Sequence, residues 1–587
     1  MASALVEASF MSTPESAKST EVAERWGSDL IAEAVRELGI PYICLVPGAS
    51  YRGLHDSFVN HLGNSSPSMI VCLHEEHAVS IAQGYAKVTD APLAVLLHAN
   101  VGLLHGSMAI FNAWCDRVPL LAIGATGPLD AERRRPWIDW IHTSIDQGAV
   151  VRGFVKWDDQ PGSPLAAIES LRRGAMIAST RPCGPVYINI DSTVQEQQIS
   201  PSVAPKPLEW FAPARSPAPS EHDLADALAM ISAARRPVVL CGRASRQMDA
   251  WNARIEFAEA INAPVFVEYN SAASFPRSHP LFAEALRFSI KELPLQIRDA
   301  DLIISLDWTD LGGTLSQIVG TKSERAKILA CSNDQEIHRG WNMDYQKLAF
   351  ADLRIATTPE SFVAAINSKL MPRATGTTFK TSIAREKRQE HNPRLDLRSL
   401  AANFKELTED RNITLVSNPL GWPAEAVRCE HPLDFLGANG GGGLGAGPGI
   451  AIGAALALRD HHKDRTAVAV LGDGDYLMGV NALWTAAKFN IGLLIVVANN
   501  RSYFNDETHQ EHVARVRHRP VENKWIGQRL DDPAPDLAAL ARAQGVGAAG
   551  PITELAHLRS ALAEGLDAAR SGRPFVVDVV VPAEYAA

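Results

Sequence analysis

No CxxC pair occurs in this chain of 587 residues, although seven cysteines are present (Cys44, Cys72, Cys115, Cys183, Cys241, Cys331 and Cys429). Their scatter argues against a cysteine-built zinc site and a disulfide framework, and it suits a reducing compartment. Positive charge is in short supply: 56 Lys and Arg face 66 Asp and Glu, a formal net charge of −10. A phosphate-backbone partner therefore has no electrostatic support, and nucleic acid is not expected. The basic stretches ERRRP (132–136) and ARVRHRP (514–520) are short enough to be solvated faces. Also missing is an apolar run of about eighteen residues, so no membrane span is expected. The Ser/Ala/Thr/Glu-rich first twenty residues lack the basic-then-apolar order of a secretory signal. The expected location is cytoplasmic.

What the chain does have is an ordinary soluble composition, 46% hydrophobic and 21% charged. Its length exceeds one core and suggests roughly three or four domains. Short, continuous apolar runs alternate with amphipathic helical segments, the pattern of parallel strands covered on both faces. The first block holds YICLV from Tyr42, MIVCLH from Met69, LAVLLHA from Leu93, PLLAIGA from Pro119 and PVYINID from Pro185. PVVLCG (Pro237), PVFVEY (Pro264), LIISLD (Leu302), KILACSN (Lys327) and LRIAT (Leu353) make up the second. The third has ITLVSN (Ile413), AVAVLGDGD (Ala467), LLIVVANN (Leu493) and FVVDVVV (Phe575). A Pro-rich segment (202–221) and a polar one (371–392) read as linkers. The expected fold is α/β, with three doubly wound domains of mainly parallel sheets over residues 21–200, 219–370 and 393–583.

The third block carries the clearest chemistry. Gly472-Asp473-Gly474 follows one apolar strand and Asn499-Asn500 closes the next, with 24 residues between Gly474 and Asn499. In a parallel sheet both lie at strand C-terminal ends, where α/β proteins bind ligands. A carboxylate and an amide oxygen meeting there suit a hard cation such as Mg²⁺ with a diphosphate partner. The flanking glycines admit phosphate close to the backbone. NGGGGLGAGPG (439–449) also satisfies GxGxxG, with Asp460 about twenty residues beyond Gly440, as a dinucleotide site would require. No clear apolar strand precedes it, however, which weakens the NAD reading.

GDG followed by NN is similar to the signature of thiamine-diphosphate-dependent enzymes. The three blocks resemble, in order, the pyrimidine-binding, central and diphosphate-binding domains of the acetolactate synthase, pyruvate decarboxylase and benzoylformate decarboxylase group. The resemblance runs from about Glu21 to Pro582. It implies thiamine diphosphate as cofactor, with Mg²⁺ held by Asp473, Asn500 and the backbone carbonyl of Ser502. It implies further that Gly472, Gly474 and Asp475 lie beside the diphosphate. Leu444 would prop the cofactor into its bent form, with Gly443 and Gly445 as close-approach positions around it.

Against this background VCLHEEHAVS (71–80) can be read. A zinc motif HExxH needs histidines at i and i+4, whereas His74 and His77 are three apart and no third ligand is evident nearby. In the family resembled, a glutamate stands nine residues before the glycine of a GYA turn; Gly84-Tyr85-Ala86 makes that residue Glu75. Its implied role is to hydrogen-bond the aminopyrimidine and favour the tautomer that takes the C2 proton. Glu76 reads as a helix-start carboxylate favoured by the dipole. Ala78, Ala82 and Ala86 form a small-residue face expected to pack against another chain.

Pocket residues separate the subfamilies. His98 in LLHANVGLLHG (96–106) and His279 in FPRSHPLF (275–282) resemble the two pocket histidines of benzoylformate decarboxylase-like enzymes. Two imidazoles suit proton delivery after decarboxylation. Ala49 stands where such enzymes carry serine, with Ser50 following; alanine here is also similar to benzaldehyde lyase-like carboligases. Ala49, Ser50, His98, Asn100 and Phe504 make up the expected substrate pocket, and the Trp- and Ile-rich segment 135–148 would line either its entrance or a subunit interface. The expected reaction is non-oxidative decarboxylation of a bulky or aromatic 2-oxo acid, with carboligation of aldehydes as a side or main activity. A 2-hydroxyacyl-CoA-type lyase, an acetolactate synthase-like carboligase and a non-catalytic relative are the alternatives. The resemblance also implies a homodimer or homotetramer with active sites between subunits.

Overall fold

A computed structural model describes residues 24–199, 208–287, 294–319, 326–334, 348–371 and 394–584. Residues 202–207 of the first expected linker and 372–392 of the second lie outside the described residues, as do 21–23, 200 and 393 at the expected domain bounds.

Among the described residues, nineteen strands alternate with helices: β1 (Arg25–Trp26), β2 (Tyr42–Leu45), β3 (Ser68–Val71), β4 (Ala94–Leu97), β5 (Leu120–Thr126), β6 (Trp157–Asp159), β7 (Pro185–Asp191) and β8 (Gln198–Ile199) in the first block. The central block has β9 (Pro237–Cys241), β10 (Val265–Glu268), β11 (Phe282–Leu286), β12 (Leu302–Leu306), β13 (Lys327–Cys331) and β14 (Leu353–Ile355). In the third are β15 (Ile413–Ser417), β16 (Thr466–Gly472), β17 (Leu494–Asn499), β18 (Gly547–Ile552) and β19 (Phe575–Val580). Three sheets result, in the orders β3-β2-β4-β5-β7-β6, β11-β10-β9-β12-β13-β14 and β15-β16-β17-β19-β18, with every pair in them parallel. β1 and β8 form a small antiparallel pair.

The continuous apolar runs become all the inner strands and three edges, β3, β14 and β15; every residue of the inner β5 and β7 is buried. The strands that no such run announced are mostly edges. β6 (WDD), β11 (FAEAL) and β18 (GAAGPI) each end a sheet, where one side lacks a strand neighbour and polar or small residues are tolerated.

The first and third blocks share one hydrophobic cluster, running from Leu30 to Val194 and from Val416 to Val576. Separate clusters on the two faces of its sheet serve the central block, with Val239 and Ile304 in one and Leu240 and Ile303 in the other. The first–third junction is a close crossing of the Glu75–Thr89 and Ala446–His461 helices. A Cβ on Gly84 would lie 2.0 Å from the Ile450 carbonyl oxygen, and one on Gly453 would lie 1.9 Å from that of Ile81. Only glycine permits this approach. His77, Ser80, Ile81 and Gly84 make this crossing; Ala78, Ala82 and Ala86, the small-residue face expected to meet another chain, point elsewhere on the helix and are fully buried within the chain's own core.

Among the described residues, no helix is long and apolar enough to cross a membrane.

Candidate active site

β16 ends at Gly472, and Asp473 opens the next helix, so its carboxylate is held at the strand's C-terminal edge. Asp473 is buried; it accepts the Ser502 N–H at 3.1 Å and its neighbour Gly474 N–H at 3.0 Å. Asn500 Oδ1 accepts the same Ser502 N–H at 2.9 Å, which brings the two candidate metal ligands together at adjoining strand ends. Asn499 points away, donating to Asp578 at 2.9 Å. The Ser502 hydroxyl donates to Glu507 at 2.5 Å, and that fully buried carboxylate pairs with Arg529 at 2.5 Å. Burial pushes the Asp473 carboxyl up to about 6, against the pull of its backbone donors. A Cβ on Gly472 would meet nothing within 4 Å, whereas one on Gly474 would strike the Tyr503 ring at 2.6 Å.

The glycine turn 440–445 is tied to this edge through Asp475. Its Oδ1 accepts from Gly445 N–H at 2.7 Å and Gly447 N–H at 3.2 Å, capping the Ala446–His461 helix, and Gly445 takes φ +95° to enter it. On its other side the turn rests on the first domain: Gly440 N–H donates to Asp116 at 2.9 Å, and Lys87 bridges Asp116 (2.8 Å) and the Ala438 carbonyl (2.9 Å). Leu444 is left 43% exposed at the tip.

In the first domain, β2, β3 and β4 are neighbours, and their C-terminal ends carry Ser50, Glu75 and His98 respectively. Glu75 is buried at the start of its helix and bonded through Oε2 to His105 Nδ1 at 3.1 Å. His74 caps that helix, accepting the Glu76 N–H at Nδ1 (3.1 Å), and its ring lies 4.9 Å from the His105 ring. The Ser50 hydroxyl contacts His98 Nδ1 at 2.9 Å and accepts the Ala99 N–H at 3.1 Å; the Ser50 N–H donates to the same Nδ1 at 3.4 Å, which suits a neutral ring with its proton on Nε2. Gly48 makes room, since a Cβ there would be 2.4 Å from His98 Cβ. The His142 ring stands edge-on to His98 at 4.8 Å. Burial, then the His142 charge, holds His98 below the usual imidazole range.

Profiles of three thiamine pyrophosphate enzyme domains match the chain in the same order: the N-terminal TPP binding domain over 25–150, the central domain over 224–346 and the C-terminal TPP binding domain over 416–579. The chain belongs to the thiamine pyrophosphate enzymes. Benzoylformate decarboxylase of Pseudomonas aeruginosa is 25% identical over 87% of this chain and 91% of its own. The large subunit of acetolactate synthase isozyme 1 from Escherichia coli is 26% identical over 81% and 82%. In fold, the chain is similar to benzoylformate decarboxylase from Polynucleobacter necessarius, with a TM-score of 0.79 at 22% identity over 96% of this chain and 99% of that one. It is likewise similar to a 4-hydroxybenzoylformate decarboxylase from Rhodococcus jostii, with a TM-score of 0.77 at 20% identity over 96% and 100%.

As a thiamine pyrophosphate enzyme, the chain distributes the expected residues unevenly. Asp473, Asn500 and Ser502 lie together, with Phe504 starting the next helix. Ser50 and His98 are in direct contact, while Ala49 is exposed beside them. Asn100 anchors the 135–148 segment by donating to the Ile141 carbonyl at 3.2 Å, so that segment is seated at the His98 edge. His279 stands apart: it bonds Glu259 (3.2 Å) and the Leu281 N–H (3.2 Å) and packs on Phe275, all within the central domain. Glu76 is more than a helix-start charge. Its Oε1 is buried without a hydrogen-bond partner, 3.7 Å from where a Cβ on Gly445 would sit. Burial, then Asp475, raises its carboxyl. His142 went unmarked in the sequence because nothing in its spacing points to His98; the segment stands out there only for its Trp and Ile content.

Proposed function

We propose that the chain uses thiamine diphosphate and Mg²⁺ to break a C–C bond next to a carbonyl, by non-oxidative decarboxylation of a bulky or aromatic 2-oxo acid, with hydroxyketone-forming carboligation as a side or main activity. The observation that carries this reading is the contact of His98 with Ser50 and His142, on the same strand-end edge as Glu75.

The residues fit the cofactor on two counts. Asp473 is a buried carboxylate at a strand-end loop that makes no ion pair among the described residues, the donor chemistry Mg²⁺ takes, and Asn500 and the Ser502 carbonyl would complete the protein ligands. Gly472 and Gly474 keep the loop open beside it, with Asp475 holding the glycine turn in register. When bound, thiamine diphosphate supplies the nucleophilic carbon and the electron sink for decarboxylation. Glu75 would hold the aminopyrimidine through its carboxyl group, Leu444 would support the bent cofactor, and Gly443 and Gly445 would let the backbone approach. Ser50 fixes the orientation of the His98 ring. The proton would be delivered by the imidazolium form, a minority at pH 7 because burial favours the neutral ring, and retrieved by the neutral form. Trp137 and Trp140, both exposed on the segment seated by Asn100, would meet a large apolar acyl group.

A second copy of the chain belongs to this proposal. Leu73, Leu104, Leu444 and Met478 are exposed apolar side chains around Glu75 and the glycine turn, the kind of surface a partner subunit covers. His279, whose contacts are all central-domain, would reach a pocket only from such a copy.

The test is Glu75→Gln. Thiamine diphosphate binding with Mg²⁺, followed by fluorescence quenching, should persist, while CO₂ release from benzoylformate should fall by about 10²–10⁴-fold. Unchanged turnover would overturn the reading, and so would failure of the unaltered enzyme to release CO₂ across a panel of aryl and branched 2-oxo acids.

A further inference from the structure

His74, Glu75 and His105 remain a cluster that the proposed reaction does not fully use. Each offers a ligand atom within 4.8 Å of those of the other two. The HEEH stretch lacked a third ligand in the sequence; the structure brings it from the neighbouring helix, thirty positions along. We propose that these three residues form a transition-metal site, separate from the Mg²⁺ site at Asp473, whose occupation takes Glu75 away from the cofactor.

Two imidazoles and one carboxylate suit a borderline divalent ion such as Zn²⁺ or Co²⁺, and not Mg²⁺, which prefers oxygen. The spacing is close to what an ion needs. Glu75 Oε2 and His105 Nδ1 are 3.1 Å apart, about the separation of two adjacent ligands each roughly 2.1 Å from one ion. The ion would take the place of the hydrogen that now joins them, with the His105 ring proton moved from Nδ1 to Nε2. The His74 and His105 ring centres, 4.9 Å apart, are spaced as two imidazoles on one ion are. His74 must turn its free nitrogen inward, moving its ring proton to Nδ1 and giving up the cap bond to the Glu76 N–H. In the single chain the His105 side chain is 52% exposed, so an ion can enter before a second copy covers this face, and water would fill the remaining positions.

The switching part rests on the role proposed for Glu75; the binding part does not. A Glu75 carboxylate shared with an ion cannot also serve the aminopyrimidine, so metal and productive cofactor would exclude each other. The ion thereby makes Glu75 a regulated residue.

The experiment is a Co²⁺ titration of the full-length, metal-free protein, read by the visible d–d absorption of Co²⁺ on nitrogen and oxygen ligands. The unaltered chain should show a saturable band, and His74→Ala and His105→Gln should each weaken binding by about tenfold or more. Circular dichroism of each variant checks the fold, and the exposed position of His105 makes His105→Gln the safer of the two. Adding thiamine diphosphate with Mg²⁺ should shift the Co²⁺ curve to higher concentration. The proposal is overturned if neither variant weakens Co²⁺ binding, or if Asp473→Asn abolishes the band while His105→Gln keeps it. A band lost in both histidine variants but indifferent to thiamine diphosphate would keep the metal site and refute the switch. An enzyme that binds Co²⁺ as described but decarboxylates nothing would refute the proposed reaction and leave the site standing.

Discussion

Asp475 is where the two cofactor motifs are joined, and its replacement gives the most discriminating test of the architecture. Asp475→Ala removes one oxygen that accepts from both Gly445 and Gly447, at 2.7 and 3.2 Å. Hydrogen bonds to a charged group are each worth about 1.5–3 kcal/mol, and the two N–H groups would be left in the interior. The burial cost of the carboxylate, which raises its own pKa, offsets part of this. A net loss of about 2–4 kcal/mol is expected, which spread over the first and third domains unfolding together is roughly 3–5 °C of melting temperature. Asp475→Asn should behave differently. One amide oxygen can still accept both N–H groups, and the new amide N–H₂ faces a region where Glu76 Oε1 has no partner. Its loss should be under about 1 kcal/mol. The assay is thermal unfolding in parallel with thiamine diphosphate affinity. Because Leu444 immediately precedes Gly445, the alanine variant should also bind cofactor more weakly. Equal behaviour of Ala and Asn in both measurements would refute the view that Asp475 acts as the shared acceptor of the turn.

Asp473→Ala should abolish Mg²⁺-dependent retention of thiamine diphosphate on gel filtration, as should excess EDTA added to the unaltered enzyme; normal retention in either case would remove Asp473 from the metal site. Ser50→Ala should leave His98 free to turn and lower CO₂ release by about tenfold, with His98→Ala costing about 10²-fold or more; no effect of either on any accepted 2-oxo acid would exclude the pair. Glu76→Gln should stabilise the chain at neutral pH, because the folded state holds the Glu76 proton more tightly than the unfolded state does. That gain should be full above the raised folded pKa and vanish as pH falls through the ordinary carboxylate range; a gain that persists in acid would contradict the assignment.

The three-sheet architecture was legible because buried parallel strands must be apolar along their whole length, as in LLAIGAT and PVYINID. Edge strands escape that rule, which is why Trp157–Asp159 and Gly547–Ile552 left no comparable mark. The Asp473–Asn500 pairing could be read for a related reason: strand ends fix where a following residue stands. Contacts made by loops carry no such period. His142 meets His98 only because Asn100 and Asp139 seat a segment some forty residues on, and Asp139 does so through the neighbouring Arg135. The capping role of Asp475 was hidden because a sequence lists the two motifs thirty positions apart and does not say which will receive the other's N–H groups.

The crossing at Gly84 and Gly453 has a consequence for how the chain comes apart. Because the first and third domains fill a common interior, neither can open without exposing the apolar surface of the other. They form one cooperative unit built from two stretches of chain separated by about two hundred residues, with the central domain inserted between them and joined to the third domain's interior through Trp251, Tyr269 and Ala273. A boundary drawn along the sequence between first and second domains, however natural for cloning, therefore cuts through a single unfolding event.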